Sequence, residues 1–291
     1  MHNMVKKVAA IHDLSGYGRA SLTAIIPTLS SMGIQVCPLP TAILSNHTGG
    51  FETFSYLDLT DNMEDYIDSW KRIGIDFDCI YSGFLGSGRQ IDIVSKFIDD
   101  FRRDGTLVVI DPVMADGGKL YRSFDWDFIP LMQKLISKAD VITPNFTEAA
   151  FLLGYKECPK KINKEELKDW LKRLSEMGPE TVVITSVPDE KNSDYTNVVA
   201  YNSKDDNYWK LTCRYIPTYY PGTGDTFTSV MIGCLLQDEC LPVSLDKAMQ
   251  FISQCIKSSY GFEYPKRSGV LLERELQFLR TRPLISDYEN M

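Results

Sequence analysis

A short stretch at residues 220–228 combines two glycines with a carboxylate and leads straight into an apolar segment. Gly222 and Gly224 permit a tight turn with inward-pointing N–H groups, and the apolar residues 229–236 predict a buried helix. The first turn of a helix adds unpaired N–H donors and the positive end of the helix dipole. Such a loop is typical of a phosphate site.

Asp225 is the unusual member of this loop. A carboxylate beside a phosphate is unfavourable unless it takes up a proton or orients a nucleophile, and both roles belong to phosphoryl transfer. The alternative is an ordinary helix N-terminus, in which Asp225 is a favourable first-turn residue. The segment alone does not decide between the two interpretations.

Three further side chains carry oxygen ligands suited to a cation. Asp111 follows the apolar run 107–110, where an ionised carboxylate needs solvent, Mg²⁺ or a monovalent ion. Asn145 and Glu148 lie three residues apart, on one face of a predicted first helical turn. The structural alternatives are a turn-forming Asp before Pro112 and a capping box at Asn145, and a cap can also hold a metal-bound water.

A polar, glycine-containing segment at 45–51 is typical of a lid over a small substrate, although a plain surface turn is the alternative. We predict a small flap around 42–57. No linker or repeat interrupts the rest of the chain, so we expect one domain over residues 1–291.

Short apolar strands alternate with helical patterns along most of the chain. The strands are predicted at 5–11, 34–39, 79–82, 107–110, 141–142 and 181–185, and the helices at 20–32, 63–73, 90–101, 128–136, 147–153, 164–176, 225–236 and 245–260. This alternation predicts an α/β fold in three layers, with a mostly parallel central sheet and helices on both faces. Two alternating segments, 197–201 and 208–213, predict an antiparallel hairpin at the sheet edge.

In an open parallel sheet the ligand lies beyond the carboxyl ends of the strands. This rule gathers residues that are far apart in sequence. The residues that follow predicted strands are His12 and Asp13, Ser82 to Phe84, Asp111, Thr143 to Asn145, and Thr185 with Ser186. We therefore expect one site that also contains the loop ending in Asp225.

Composition excludes several classes of protein. A net charge of −8 and a pI of about 5.0 argue against nucleic-acid binding, and no apolar run reaches the roughly 20 residues of a membrane span. The N-terminal apolar run is too short for a secretory signal, and the seven cysteines are scattered without a Cys-x-x-Cys pair. We expect a cytoplasmic protein.

Sequence motifs exclude further enzyme classes. Residues 16–21 (GYGRAS) are a weak dinucleotide fingerprint, because Ser21 replaces the third small residue and no acidic residue ends the second strand. The chain lacks a P-loop motif. Three histidines without a Gly-x-Ser-x-Gly elbow make a hydrolase triad improbable.

Residues 222–225 resemble the anion-hole signature of the ribokinase-like superfamily. Several further motifs resemble those of its pyridoxal kinase branch, in the same order along the chain. These are 45–49 (SNHTG), 82–87 (SGFLGS), 111–114 (DPVM), 143–148 (TPNFTE) and 185–186 (TS). The resemblance implies ATP-dependent phosphorylation of the 5′-hydroxyl of pyridoxal, pyridoxine or pyridoxamine.

The resemblance also implies roles for individual residues. Asp225 would act as base, with the amides of the three preceding residues cradling the transferred phosphate. The other implied roles are Mg²⁺-ATP binding for Asn145 and Glu148, phosphate contacts for Thr185 and Ser186, a place near the metal for Asp111, and contact with the ring's phenolic oxygen for Thr48. A homodimer is implied as well, and K⁺ is compatible with the resemblance.

Two residues depart from the pyridoxal kinase pattern. Phe84 stands where many pyridoxal kinases carry Tyr, which keeps a stacking ring without the hydroxyl. Asp13 stands where that branch often has Ser facing the pyridine nitrogen, and residues 13–16 (DLSG) resemble the Asp-Pro-Ser-Gly of hydroxymethylpyrimidine kinases. Hydroxymethylpyrimidine or sugar phosphorylation therefore stays open, as does a catalytically silent nucleotide- or vitamer-binding regulator.

Overall fold

The computed structural model describes residues 5–280 and 289–290, so the outermost parts of the predicted 1–291 domain lie outside the described residues. The strands are β1 (Lys7–Ser15), β2 (Gln35–Leu44), β3 (Tyr56–Asp58), β4 (Cys79–Ser82), β5 (Leu107–Ile110), β6 (Ala115–Asp116), β7 (Lys119–Leu120), β8 (Val141–Ile142), β9 (Thr181–Pro188), β10 (Tyr195–Asn202), β11 (Asn207–Arg214) and β12 (Glu289–Asn290). The helices are α1 (Leu22–Ser31), α2 (Thr60–Ile73), α3 (Gly88–Phe101), α4 (Phe128–Ile136), α5 (Phe146–Leu152), α6 (Lys164–Ser175), α7 (Thr223–Leu235) and α8 (Leu241–Tyr260).

One large sheet runs through the molecule in the order β12-β11-β10-β9-β8-β5-β4-β1-β2-β3. The central strands, from β9 to β2, pair in parallel. Both sides of the sheet end in antiparallel pairs, β9 to β12 at one side and β2 with β3 at the other. The predicted mostly parallel sheet with an added hairpin is confirmed.

Helices cover both faces of this sheet, as the side-chain alternation along β1 shows. Val8 and Ala10 belong to the core cluster that contains residues of α1, α7 and α8. Ala9 and Ile11 point the other way, into the larger cluster built with α2 to α6. Since successive strand residues face opposite sides, a fully apolar strand serves two cores at once. The three-layer prediction is confirmed.

Several strands are longer than predicted, among them β2, which continues to Leu44. β1 continues to Ser15 and β9 continues to Pro188. Asp13 and Ser186 therefore lie within strands and not in loops after them. Polar residues and proline break the apolar pattern at these strand ends, although the backbone still pairs with its neighbours there.

The predicted flap is a β-arm at the sheet edge. Its base is antiparallel pairing of β2 with β3, in which Ala42 faces Asp58 and Leu44 faces Tyr56. Residues 45–55 form the loop that joins the two strands. β3 went unpredicted because its three residues are all exposed and show no apolar alternation.

Candidate active site

A cleft of about 920 Å³ opens at the carboxyl ends of the parallel strands. It is lined by all of the residues with a predicted catalytic, binding or metal role: Asp13, Thr48, Phe84, Asp111, Asn145, Glu148, Thr185, Ser186, Gly222, Thr223, Gly224 and Asp225. His12, Ser82, Gly83 and Pro144, which were also expected at the site, do not line it. The lining residues with predicted roles come from seven separate segments of the chain. The parallel sheet thus brings together residues that the sequence separates by up to about 200 positions, as the strand-end rule predicts.

The turn into α7 requires glycine at its first position. Gly222 has φ 80°, and a Cβ atom there would lie 1.9 Å from the carbonyl oxygen of Arg19. Any side chain would therefore meet both an unfavourable backbone conformation and a rigid backbone atom. Among the described residues, no side chain caps the N-terminus of α7, so its first-turn amides stay available to an anion.

Asp225 lies in the first turn of α7 and faces the start of α1. Its Oδ2 accepts a hydrogen bond from the backbone N–H of Ser21 at 2.8 Å, and its side chain is only 14% exposed. Burial raises the pKa of the Asp225 carboxyl to about 6, the Ser21 N–H opposes that shift, and the charge of Asp13 adds to it. The group is therefore ionised at neutral pH but close to accepting a proton.

Ser21 links two carboxylates of the cleft. Its backbone N–H donates to Asp225, while its hydroxyl donates to Asp13 Oδ1. Asp13 also accepts from the Ser15 hydroxyl at 2.9 Å, and burial raises the pKa of its carboxyl. Ser21 has φ 51°, an uncommon conformation for a residue other than glycine, and such outliers are concentrated at functional sites.

A second pair of carboxylates, Asp111 and Glu148, lies in the same cleft, and Oδ2 of Asp111 lies 4.0 Å from where a Cβ atom of Gly224 would stand. Glu148 is 2% exposed, and its oxygens accept from the backbone N–H groups of Asn145 at 2.9 Å, Met114 at 3.0 Å and Ala115 at 3.3 Å. Burial nevertheless raises the pKa of Glu148 to about 8. Burial also raises the pKa of Asp111 well above its usual range, with the charge of Glu148 as the next cause.

Asn145 and Glu148 form the capping box that was one interpretation of their spacing. The amide oxygen of Asn145 accepts from the N–H groups of Thr147 and Glu148, and its amide nitrogen donates to the carbonyl of Ala115 at 2.8 Å. The side chain of Asn145 is thus already committed to backbone partners. Asp111 keeps more freedom to meet a cation.

The acidic residues suit a Mg²⁺ ion that arrives with a nucleotide. Within the described part of the chain, no three His, Cys, Asp or Glu residues form a preorganised metal cage. Mg²⁺ usually binds through one or two carboxylates plus substrate phosphates and retained waters. Asp111 and Glu148 fit that pattern because a nearby cation would favour the charged forms that burial disfavours.

Thr185 and Ser186 reach the cleft from an irregular point in β9. The pairing of β9 with β10 shifts register near these residues, and Ser186 has φ 58°. The N–H of Thr185 donates to the carbonyl of Pro144 at 3.0 Å, which holds β9 against the strand end before α5. Bulges of this kind redirect side chains next to active sites.

The flap closes the cleft on the side of Asp13. Thr48 is exposed on the flap, while Phe84 is half-buried on the facing wall and packs against Phe124 at a ring distance of 5.6 Å. His47 anchors the flap: its Nε2 lies 2.5 Å from the carbonyl oxygen of Arg267, and its Nδ1 accepts from the N–H of Gly49 at 3.1 Å. That pattern is possible for a neutral imidazole with the proton on Nε2.

The basic residues of this cleft were not predicted from the sequence. Its acidic lining consists of Asp13, Glu52, Asp111, Asp116, Glu148 and Asp225, whereas its basic lining consists of Lys119 and Arg122. Both cations lie on or beside the β6–β7 hairpin, which was not predicted because each of its strands has only two residues. The only sequence signal was the turn-forming pair Gly117 and Gly118 before Lys119.

A smaller cavity of about 220 Å³ lies between α6 and strands β9 to β11. None of the predicted site residues lines it. Its carboxylate, Asp189, is paired with Lys210 at 3.2 Å and accepts from Asn197 at 3.3 Å. The chemistry is concentrated in the large cleft.

Comparison with known proteins gives consistent matches over most of the chain. Residues 16–270 match the family described as phosphomethylpyrimidine kinase. The pyridoxal kinase of Arabidopsis thaliana is 29% identical over 248 residues, which make up 82% of this chain and 75% of that protein.

Two solved structures have closely similar folds. A Bacteroides thetaiotaomicron VPI-5482 protein, assigned to the phosphomethylpyrimidine kinases and crystallised in a form with pyridoxal, is 54% identical, with a TM-score of 0.95 over 99% of this chain and 100% of that one. The pyridoxal kinase of Lactobacillus plantarum is 30% identical, with a TM-score of 0.85 over 95% of this chain and 97% of that one.

Proposed function

The chain belongs to the phosphomethylpyrimidine kinase family, and we propose that it transfers the γ-phosphoryl group of ATP to the 5′-hydroxyl of pyridoxal, pyridoxine or pyridoxamine. The observation that carries the proposal is the position of Asp225, whose buried carboxylate lies beside uncapped amides at the helix N-terminus within the large cleft. The similarity to the Bacteroides protein that was crystallised with pyridoxal supports a B6 vitamer as the acceptor.

In this reaction Asp225 orients the acceptor and takes its proton. The alcohol oxygen attacks the γ-phosphorus, a new O–P bond forms, the bond to the β-phosphate oxygen breaks, and ADP leaves. The proton of the alcohol passes to Asp225. A raised pKa is not required, because the hydroxyl loses its proton late in a loose transition state, but a pKa of about 6 leaves the base ionised at neutral pH.

The backbone at the start of α7 stabilises the transferred group. The N–H groups of Thr223 and Gly224 lie in the first turn, next to the fixed conformation of Gly222. Donors that are already oriented toward developing charge need no reorganisation during reaction. Lys119 and Arg122 are the side-chain cations that line the cleft in the described residues, and we assign them to the triphosphate.

We assign nucleotide binding to the part of the cleft that contains α5 and β9. We assign the phosphates to Thr185 and Ser186, with Mg²⁺ held by Asp111 and Glu148 and oriented through the cap at Asn145. A bound Mg²⁺ would neutralise negative charge on the phosphate oxygens. K⁺ is part of the proposal as a second ion, and turnover in K⁺ compared with Na⁺ buffer tests it.

The vitamer ring is assigned to the space between Asp13, Thr48 and Phe84. A carboxylate at Asp13 can pair with a protonated pyridine nitrogen, and Phe84 can stack on the ring. The flap around 42–57 would cover the ring and exclude water.

Hydroxymethylpyrimidine is a second candidate acceptor. The carboxylate at position 13, within the DLSG segment, favours it, and so does the family that residues 16–270 match. The position of Asp225 in the α7 loop favours the vitamer, because the pyrimidine branch commonly has Cys there.

Steady-state kinetics with purified protein tests the assignment. We expect kcat/KM for pyridoxal or pyridoxine to exceed kcat/KM for hydroxymethylpyrimidine and ribose by at least about tenfold, which corresponds to a discrimination of about 1.4 kcal/mol. The reverse order would replace the substrate and keep the mechanism. ATP consumption that depends on the added alcohol would exclude a catalytically silent binding regulator.

The proposal also covers assembly and location. Ile43, Phe54, Tyr56 and Leu57 are large exposed side chains on or beside the flap arm, and such a patch supports the implied homodimer. Analytical ultracentrifugation tests this assignment.

The seven cysteines are all free, which fits a reducing compartment such as the cytoplasm. Among the described residues, no helix has the length and apolar character needed to cross a bilayer.

A further inference from the structure

His12 lies fully buried directly behind the cleft. Its residue is 0% exposed, and within the described residues neither of its ring nitrogens has a hydrogen-bond partner. A buried polar group without a partner costs roughly 1 to 3 kcal/mol, so such groups are rare in folded proteins. An unpaired histidine in this position therefore calls for a functional reason.

The surroundings of His12 hold the ring in one orientation. Its ring meets Tyr81 edge-on at 4.3 Å, and Gly83 has no side chain where a Cβ atom would lie 2.3 Å from the imidazole. In this orientation Nδ1 lies 4.0 Å from Oδ1 of Asp225. The nitrogen thus faces the proposed catalytic base at slightly more than hydrogen-bond distance.

The other oxygen of Asp225 already has a fixed donor, the N–H of Ser21 at 2.8 Å. A second donor on Oδ1 would hold the carboxylate from both ends and leave lone pairs for the acceptor alcohol, since each carboxylate oxygen accepts about two hydrogen bonds. Catalytic hydrogen bonds are often long without substrate and shorten in the reactive complex. A movement of about 1 Å would be sufficient here.

We propose that His12 is a positioning residue for phosphoryl transfer, donating from Nδ1 to Oδ1 of Asp225 when both substrates are bound. This proposal rests on the proposed function only in assigning the base to Asp225. Burial lowers the pKa of His12 to about 3, so the ring is neutral and can donate from one nitrogen without bringing a charge next to the phosphates.

The test compares His12→Leu with His12→Asn. Leu fills a similar volume without a donor, whereas the amide nitrogen of Asn takes the place of Nδ1. We expect Leu to lower kcat by roughly 10- to 100-fold, with KM for ATP and alcohol changed less than about threefold, and Asn to recover most of the loss. Tyr208→Phe is the control, because it removes a buried hydroxyl on β11 that does not line the cleft.

A double-mutant cycle tests whether His12 acts through Asp225. In the Asp225→Asn background, His12→Leu should change kcat by less than about twofold, because the group that it orients is already lost. Unchanged kcat in His12→Leu, equal losses in the Leu and Asn variants, or full additivity with Asp225→Asn would each overturn the proposal. The assay uses whichever alcohol the wild type phosphorylates, so a wrong substrate assignment gives a different result from a wrong role for His12.

Discussion

Two carboxyl groups of the cleft, Asp225 at the start of α7 and Glu148 in α5, differ in how readily they ionise. On the α7 side, Asp225 is 14% exposed at its side chain and has a pKa of about 6. On the α5 side, Glu148 is 2% exposed and has a pKa of about 8, although three backbone N–H groups donate to it. The comparison teaches that desolvation, more than the number of hydrogen bonds, decides which carboxyl is ionised before ligands arrive.

This difference matches two distinct tasks. A base must be ionised at working pH, and the pKa of about 6 at Asp225, the proposed base, meets this requirement. A metal ligand can hold a proton until a cation displaces it, and the pKa of about 8 at Glu148 fits that proposed role.

The largest expected effect is the loss of the base on the α7 side. Asp225→Asn should lower kcat by roughly 10²-fold or more while nucleotide binding survives, because the amide keeps the shape and cannot accept the proton. Stopped assays for ADP with calorimetric titration of nucleotide would measure both quantities. Turnover near that of the wild type would remove Asp225 from the mechanism.

Two glycines with the same φ, Gly222 and Gly33, show how much the close backbone contact at the start of α7 restricts substitution. Gly222→Ala should destabilise the fold by about 3 kcal/mol or more, since the new Cβ atom would meet the Arg19 carbonyl. Gly33 also has φ 80° but has no atom within 4 Å of that position, so Gly33→Ala should cost only about 1 kcal/mol. Chemical denaturation measures both, and equal losses would mean that the close contact is unimportant.

The pKa of Asp225 predicts an acid limit to activity. Only the ionised carboxylate can accept the proton, so kcat/KM should fall about tenfold per pH unit below pH 6, where the group becomes protonated. A pH profile of kcat/KM for the alcohol tests this. An acid limb near pH 4, where an unperturbed Asp titrates, would contradict the buried environment described for Asp225.

The smallest expected effect is the release of a proton from Glu148 when the nucleotide binds. Glu148 is mostly protonated at pH 7 because its pKa is raised to about 8, and Mg²⁺-ATP favours the ionised form. We expect up to about one proton to be released at pH 7 and almost none well above pH 8. Calorimetry in two buffers of different ionisation enthalpy measures it.

Glu148→Gln is the control for that measurement and should abolish most of the release, whereas Asp225→Asn should retain it. If heats are independent of the buffer in the wild type, the two sides of the cleft do not differ as described.

The sequence predicted most of the fold where burial leaves a simple pattern. β4, β5, β8 and α4 have the predicted bounds, because each is a continuous apolar or amphipathic run between turn residues. The exposed β3 and the two-residue strands β6 and β7 carry no such pattern. β3 depends on pairing with β2 across the loop 45–55, and β6 and β7 are too short to leave a periodic pattern.

The sequence predicted many of the residues that line the site, but it did not predict the contacts between them. Strand-end positions and family-like motifs identified residues that line one cleft. The bridge at Ser21, the unpaired ring of His12 and the cations on the β6–β7 hairpin depend on contacts between segments far apart in sequence. No periodicity or motif spacing reports a contact of that kind.

Ser21 has a consequence for how new specificities could evolve in this scaffold. One residue, held at φ 51°, touches both the carboxylate assigned to the ring and the carboxylate assigned to the reacting alcohol. A substitution at Asp13 that suits another heterocycle would therefore disturb the base as well. Laboratory selection for a different acceptor should begin at Phe84 or the flap, where changes leave that shared serine alone.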